Sequence, residues 1–471
     1  MAVARKIAYN VVFNVITKII STILALVSIG FITRYLGTQG FGDYSTVLAF
    51  FSFFGSLADL GLYAITAREI SRENADEEKI LGNAFTLRLL SSLIVFILSP
   101  AIIFFLPYSH EVKTGIIVAA ASFVFSSTYM VLNGVFQKNL AMDRVAIVEV
   151  LGKILQVVIV IFAIHQNLGF AMIIMSMLIA SIFNFVLVAA MVNKYVPLKP
   201  QFDIKYCKKF LREATPLGIS AVVIFIYFKI DTILLSILKT NSDVGIYNAA
   251  YKVIENISFF PAMIIGLVFP LLSRNIFLNK HEFERIANET MKVFMILVIP
   301  MLIGTLFLAP GIIHVIGGEA FLPSINTLRI LIFALAFIFF GGFFNNILIA
   351  ANLQKKMLYV FIGCAVFNVI ANLIFIPIFS YTAAAIVSTV TEMLVTISGF
   401  YLTLKYVGYI PDVNHLFRIL IAGIAMGIFL YIFAFLGFIP LALLGAIIYV
   451  LFLWITKTVT IKELTSIIVS K

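Results

Sequence analysis

The sequence predicts an all-α polytopic membrane protein of about fourteen transmembrane helices. Three observations lead there. Apolar residues make up 62% of the 471 and charged residues 12%, against about 45–50% and about 25% in soluble domains. The apolar residues fall in repeated runs of about 20, the length that a hydrocarbon core about 30 Å thick requires. Lys and Arg gather at alternate ends of those runs. A mean hydropathy of +1.12 means more apolar surface than one soluble core can hide. Modest Gly and Pro content and only two cysteines exclude collagen-like, disordered and disulfide-stapled chains.

In chain order the runs lie at about 10–33, 44–66, 84–106, 115–136, 145–164, 169–192, 214–238 and 246–273. Six more follow at about 291–316, 324–349, 356–377, 380–404, 416–436 and 439–457. Their continuity excludes barrel strands, which alternate over about ten residues. The opening MAVARKIAYNVVFN has a charged lead and a long apolar run without an A-x-A-like cleavage site, so the first run reads as a retained helix.

Fourteen spans with both termini in the cytoplasm put 24 of the 33 Lys and Arg in inner loops and tails, and three (Arg34, Lys113, Lys239) in outer loops. The other six, Lys18, Arg88, Lys153, Lys229, Lys252 and Arg329, fall inside spans. A wrong count would scramble this bias partway along the chain. The net charge of +11 then follows from topology and anionic lipid, with no nucleic acid implied. The expected location is the cytoplasmic (inner) membrane.

The longest polar link, 193–213, carries two prolines and six basic residues and divides the first twelve spans into two sets of six. Phe41-Gly42-Asp43-Tyr44 is echoed 203 positions later by Val244-Gly245-Ile246-Tyr247, and Asn139–Arg144 more weakly by Asn352–Lys356. The organisation expected is a six-helix lobe over 1–200, a second over 201–410 related to it by a pseudo-two-fold along the membrane normal, and helices thirteen and fourteen over 411–471.

Catalytic chemistry finds no foothold. Outer loops are mostly under about ten residues, too short for the catalytic domain that an embedded glycosyltransferase or ligase builds on. The five histidines are scattered without metal-ligand spacing, and Gly152-Lys153 has Ile147 where a P-loop needs its first Gly. No enzyme, cofactor or metal is expected. Cys207 lies in a Lys-rich stretch and Cys364 in an apolar run, so no disulfide is expected between them.

Ionisable groups deep in a bilayer cost about 2.5–3.5 kcal/mol each on the insertion scale and face protein or water. Arg88, Glu149 and Lys153 lie within about two turns of the inner ends of their spans, where snorkelling accounts for them. Lys18, Asp59, Lys229, Asp231 and Glu392 lie deeper, and Lys252 and Glu255, three apart, share a helix face. Either these are buried structural ion pairs, or they line a shared polar cavity. Pro261, Pro270 and Pro300 and the Gly341-Gly342 pair are expected to interrupt spans eight, nine and ten.

The stretch Arg34-Tyr35-Leu36-Gly37-Thr38-Gln39-Gly40-Phe41-Gly42-Asp43-Tyr44 resembles the R-x-LG-x-x-x-FG-x-Y element of polysaccharide flippases. These are the Wzx-type, or PST, branch of the multidrug/oligosaccharidyl-lipid/polysaccharide exporter (MOP) superfamily. Asp59-Leu60-Gly61-Leu62 with Arg68-Glu69-Ile70 is similar to that family's D-x-GL…R-x-I element, and Lys229-Ile230-Asp231 with the run from Val244 to Lys252 to its helix seven to eight signature. The resemblance implies a V-shaped transporter moving a polyprenyl-diphosphate-linked oligosaccharide outward through a central cavity. It implies Lys18, Lys229 and Lys252, with Asp59, Asp231 and Glu255, as cavity residues, and Asp59, Asp231 or Glu392 as carriers of a coupled proton or ion. Tyr227, Tyr247 and Tyr251 either pack in the core, the default for a tyrosine in such a helix, or offer faces on which sugar rings stack. The partners implied are the lipid-linked substrate, membrane lipid and polysaccharide-assembly proteins. An ion-coupled drug or small-solute antiporter of the same superfamily is the alternative.

Overall fold

The computed structural model describes the backbone of residues 2–59, 62–72 and 74–458. In hydrocarbon the backbone has no water to bond, so continuous apolar sequence closes its hydrogen bonds within helices. The elements are α1 (Ala2–Asp59), α2 (Leu62–Ile70), α3 (Glu77–Phe104), α4 (His110–Lys138), α5 (Met142–His165), α6 (Gly169–Val192) and α7 (Ile204–Leu238). They continue with α8 (Asn241–Ile257), α9 (Phe259–Leu278), α10 (Lys280–Gly317), α11 (Ser324–Ala350), α12 (Gln354–Val407), α13 (Leu416–Ile432) and α14 (Phe438–Ile455). Only a three-residue 3₁₀ turn, Glu319–Phe321, interrupts this all-helical order among the described residues.

Fourteen expected spans and fourteen helices coincide by offsetting mergers and breaks. Expected spans one and two run together in α1 across Gly37, whose φ of 64° reverses the chain, and α2 completes the second. Spans eleven and twelve join in α12 across Ser380 at φ 50°, a left-handed conformation uncommon for a residue with a Cβ. Span eight divides into α8 and α9 at Ser258. The expected interruption of span eight is present, at Ser258 three residues before Pro261, while those at Pro270, Pro300 and Gly341-Gly342 are corrected. Pro261 sits in the first turn of α9, where its missing N–H costs nothing. Pro270 and Pro300 lie inside continuous helices. α11 runs unbroken through Gly341, where an added Cβ would meet Thr396 Oγ1 at 2.8 Å, so that glycine serves close helix packing.

The chain forms two compact units, Met1–Asn248 and Ala249–Lys471. In the first, α4 packs on α3 and α6, while α5 and α7 pack along α1. In the second, α11 packs on α12 and the α13–α14 pair on α10. Large apolar side chains such as Ile97, Phe104, Phe417 and Leu443 are exposed, while Ser92, Ser176, Asn368 and Thr403 are buried. This reverses the soluble pattern because the surrounding solvent is lipid.

The 193–213 link is bound to the start of α3. Lys199 pairs with Glu78 at 2.9 Å and Lys79 with Asp203 at 3.0 Å. The Asp203 amide donates to Asn83 Oδ1 at 2.7 Å, and a Cβ at Gly82 would strike the Lys199 carbonyl. Asp203 also caps α7 by accepting from the amides of Lys205 and Tyr206. The Lys79 ammonium, then the Tyr206 amide, hold its carboxyl below the usual aspartate range.

The sequence echo has a physical counterpart within the first unit. A Cβ at Gly42 would strike the Asn241 carbonyl, and one at Gly245 would strike that of Thr38. The same added atoms would each lie 3.1 Å from the other glycine's amide nitrogen. Thr38 and Asn241, like Gly42 and Gly245, stand 203 positions apart. Ser242 Oγ donates to Thr38 Oγ1 at 2.9 Å across the crossing. Equivalent helix starts thus pack backbone to backbone, which only glycine allows.

Gly42→Ala and Gly245→Val are expected to lower the thermal unfolding midpoint in detergent, by overpacking of about 1–3 kcal/mol. Gly266→Ala, where an added Cβ meets nothing within 4 Å, leaves it unchanged or slightly higher. Asp203→Asn is expected to speed amide exchange over 199–206 at pH 7. In the native chain the contribution of a lowered carboxyl is full above the ordinary aspartate range and fades as pH falls through the folded value. Protection of that segment, taken as exchange relative to the intrinsic base-catalysed rate at each pH, should therefore fall toward acid pH in the native chain and stay flat in the variant.

Candidate functional site

Helices α7 and the start of α8 hold the most buried carboxylate among the sequence candidates. Asp231 is 2% exposed and accepts from the Tyr247 hydroxyl at 3.1 Å. One residue on, Thr232 Oγ1 donates to Asn248 Oδ1 at 3.3 Å, and Asn248 Nδ2 donates to the Val244 carbonyl at 3.0 Å. Two rungs 16 residues apart in sequence therefore tie α7 to α8, and each supplies partners without which burial is costly. Lys229, one turn before Thr232, is half-buried. Of the two roles open to Tyr227 and Tyr247, core packing and a face open to sugar, both take core packing. Tyr247 is fully buried with its hydroxyl on Asp231, and Tyr227 is buried edge-on to Phe228 at 4.6 Å. Tyr251 is half-buried.

Elsewhere in the first unit, Lys18 on α1 is exposed and lies within electrostatic reach of Glu149 on α5. Tyr63 and Tyr129 also feel the Glu149 charge, Tyr63 donates to Gln137 Oε1 at 2.9 Å, and Tyr129 bonds to Asn184. Gly152 makes room for Asn184, whose amide an added Cβ would strike. This polar group spans α1, α2, α4, α5 and α6, and sequence reasoning missed it by assigning Glu149 to snorkelling. Its signal was the run of Glu149, Lys153 and Gln156 along one helix; Lys153 Nζ donates to Gln156 Oε1 at 2.9 Å. Asp59 ends α1, and its side chain lies outside the described residues.

Arg88 is a second correction. It does not snorkel: it is 2% exposed, donates from Nε to the Ser127 carbonyl at 3.2 Å and lies 5.9 Å from the Phe123 ring centroid. Small residues on α3 and α4, Ser92, Ser127 and Thr128, let the guanidinium sit between the helices.

In the second unit, Lys252 and Glu255 pair with each other at 2.7 Å, their side chains 15% and 34% exposed. Glu392 on α12 is 8% exposed beside Thr391. Next to it runs a buried chain: Asn372 Nδ2 donates to Asn368 Oδ1 at 3.0 Å, Asn368 Nδ2 to Thr391 Oγ1 at 3.2 Å, and Thr391 Oγ1 to the Val387 carbonyl at 2.7 Å. Asn368 and Asn372, four apart in sequence, share one helix face. Of the candidates, then, Asp231 is joined to Tyr247 and Lys252 to Glu255, while Lys18 is within electrostatic reach of Glu149. Both cysteines are buried free thiols.

Comparison with known proteins accords with this architecture. Residues 7–276 match the family model described as "Polysaccharide biosynthesis protein". A putative O-antigen transporter of Shigella flexneri is 24% identical over 345 residues, covering 69% of this chain and 78% of its own. The capsular polysaccharide biosynthesis protein CapF of Staphylococcus aureus is 24% identical over 334 residues, covering 69% and 83%. Among solved structures, the lipid II flippase MurJ in an inward closed conformation superposes with a TM-score of 0.77 at 18% identity, over 94% of this chain and 98% of its own. An inward-facing multidrug resistance MATE family transporter of the MOP superfamily gives 0.69 at 17%, over 84% and 98%. The fold is thus that of the MOP transporters, and with more than half its length matched the chain belongs to the polysaccharide biosynthesis protein family.

Proposed function

We propose that the chain is a flippase that carries a polyprenyl-diphosphate-linked oligosaccharide from the inner to the outer leaflet of the cytoplasmic membrane, for assembly of cell-surface polysaccharide. The observation that carries this reading is the family match over 7–276 together with relatives named for O-antigen transport and capsular polysaccharide synthesis. The chemistry agrees. A glycan head bears many hydroxyls that hydrocarbon rejects, while its polyprenyl tail is at home there. A protein with polar groups inside its bundles and apolar side chains outside gives each part a compatible surroundings.

In this proposal the two six-helix lobes rock to give alternating access, and Lys18, Lys229 and Lys252 meet the anionic head. Lys252 is released toward substrate by parting from Glu255. Each negative charge moved outward gains about 2.3 kcal/mol per 100 mV when the cell interior is negative, a drive that needs no nucleotide. Asp59, Asp231 and Glu392 are the carboxylates placed to carry a coupled proton or ion. Both termini lie in the cytoplasm, and no catalytic step is involved.

Deletion in the host tests the function: surface glycan is lost and its lipid-linked precursor accumulates inside. Surface glycan that persists without trapped precursor, in a host with no second flippase, contradicts it, and gradient-driven export of dyes would favour the antiporter reading. Lys229→Ala and Lys252→Ala are expected to lower transport of an acidic glycan roughly tenfold at equal protein abundance, the value of one charge-assisted contact. Glu255→Gln, which frees Lys252 from its partner, is expected to weaken transport less than Lys252→Ala.

A further inference from the structure

The two ends of α12 meet. Its reversal at Ser380 brings Lys356, in the first turn, beside Lys405 and Tyr406, in the last, at one end of the second unit. Lys356 Nζ lies 4.1 Å from the Tyr406 ring centroid and Lys405 Nζ 5.5 Å from the same centroid. Lys405 Nζ is also 5.6 Å from the Tyr401 centroid and 3.5 Å from its hydroxyl, and Lys356 reaches the Tyr406 hydroxyl. Two ammonium groups thus share one aromatic ring. Acidic side chains of this unit that form ion pairs engage other residues: Glu255 with Lys252, Glu282 with Arg285, Glu284 with Lys280 and Glu319 with His314.

A ring face attracts each ammonium but neutralises neither, so an anion brought to this ring gains from both positive charges. The surroundings say which anion. Tyr359, one turn after Lys356, is exposed, as are Tyr401 and Tyr406. Ile410, Val413 and Phe417, which follow α12, present exposed apolar side chains. Exposed tyrosine, lysine and aliphatic residues at one helix end mark the boundary between headgroups and hydrocarbon. Phosphate is the group that two point-charge ammoniums hold best, and at this depth it arrives attached to acyl chains.

We propose that Lys356 and Lys405, arrayed around Tyr406 and Tyr401, bind the phosphate headgroup of an anionic phospholipid on the outer surface of the second unit. The site stands apart from the residues given to transport, and its existence does not depend on that function. It pins together the two ends of α12, the helix that carries Thr391 and Glu392.

Native mass spectrometry of the full chain, delipidated and then supplied with phosphatidylglycerol or phosphatidylcholine, tests it. The wild type is expected to retain phosphatidylglycerol in preference. Lys356→Gln with Lys405→Gln should bind one phosphatidylglycerol fewer, with occupancy reduced about tenfold. Lys356→Arg with Lys405→Arg retains it, which shows that the fold is intact and charge is what matters. Lys205→Gln with Lys208→Gln, a matched loss of charge on α7, leaves that lipid bound. Equal retention by the double Gln variant overturns the proposal. So does an equal effect of the α7 control, or displacement of the lipid by millimolar inorganic phosphate, which would make the ligand a soluble anion.

Discussion

Inside hydrocarbon a polar group must find its partner within the protein, and that single constraint orders this structure. It makes every span helical, and it also decides where the side chains with hydrogen-bonding capacity sit. Asp231 is bearable at 2% exposure because Tyr247 donates to it, Arg88 because a helix carbonyl and an aromatic ring receive it. Burial of Asn368, Asn372 and Thr391 is offset by the hydrogen bonds that run from Asn372 to Asn368 and from Asn368 to Thr391. Close approach of backbones at Gly42, Gly245 and Gly341 brings Ser242 within bonding range of Thr38 and Thr396 within range of the Phe337 carbonyl.

These interior groups also give the family's activity its physical setting. A lipid-linked sugar asks for a route that is polar for its head and apolar for its tail. Both units keep hydroxyl, amide and charged side chains within their bundles and set Ile, Leu and Phe outward. The pair of Lys252 with Glu255 is a charge already compensated at rest. In the proposed transport, a phosphate competing for Lys252 would exchange one ionic partner for another, at less cost than leaving that ammonium buried without a partner.

Much of the fold was legible in the sequence because hydrophobic run length and basic asymmetry are strong, additive signals over hundreds of residues. Details that depend on packing were not. The left-handed turn at Ser380 has no glycine to announce it, and span eight divides at Ser258 rather than at the Pro261 that follows three residues on. Arg88 was misread because depth along a helix does not reveal which face is lined by small residues. The Phe41–Tyr44 and Val244–Tyr247 echo was legible, yet its meaning, two helix starts crossing through paired glycines, needed three dimensions. For the site, residue type and spacing picked out Asp231 and the Lys252–Glu255 pair, while the Tyr247 partner of Asp231 and the group around Glu149 depend on contacts between helices.

The most direct measurement is translocation by the purified chain in proteoliposomes. A polyprenyl-diphosphate oligosaccharide carrying a fluorophore on its sugar is placed in both leaflets, and a membrane-impermeant quencher is added outside. If the chain is a flippase, the quenched fraction rises from about one half toward completion, at a rate that scales with protein and increases when the lumen is made negative. A quenched fraction fixed at the value of protein-free liposomes, with folded protein present in both orientations, would contradict it.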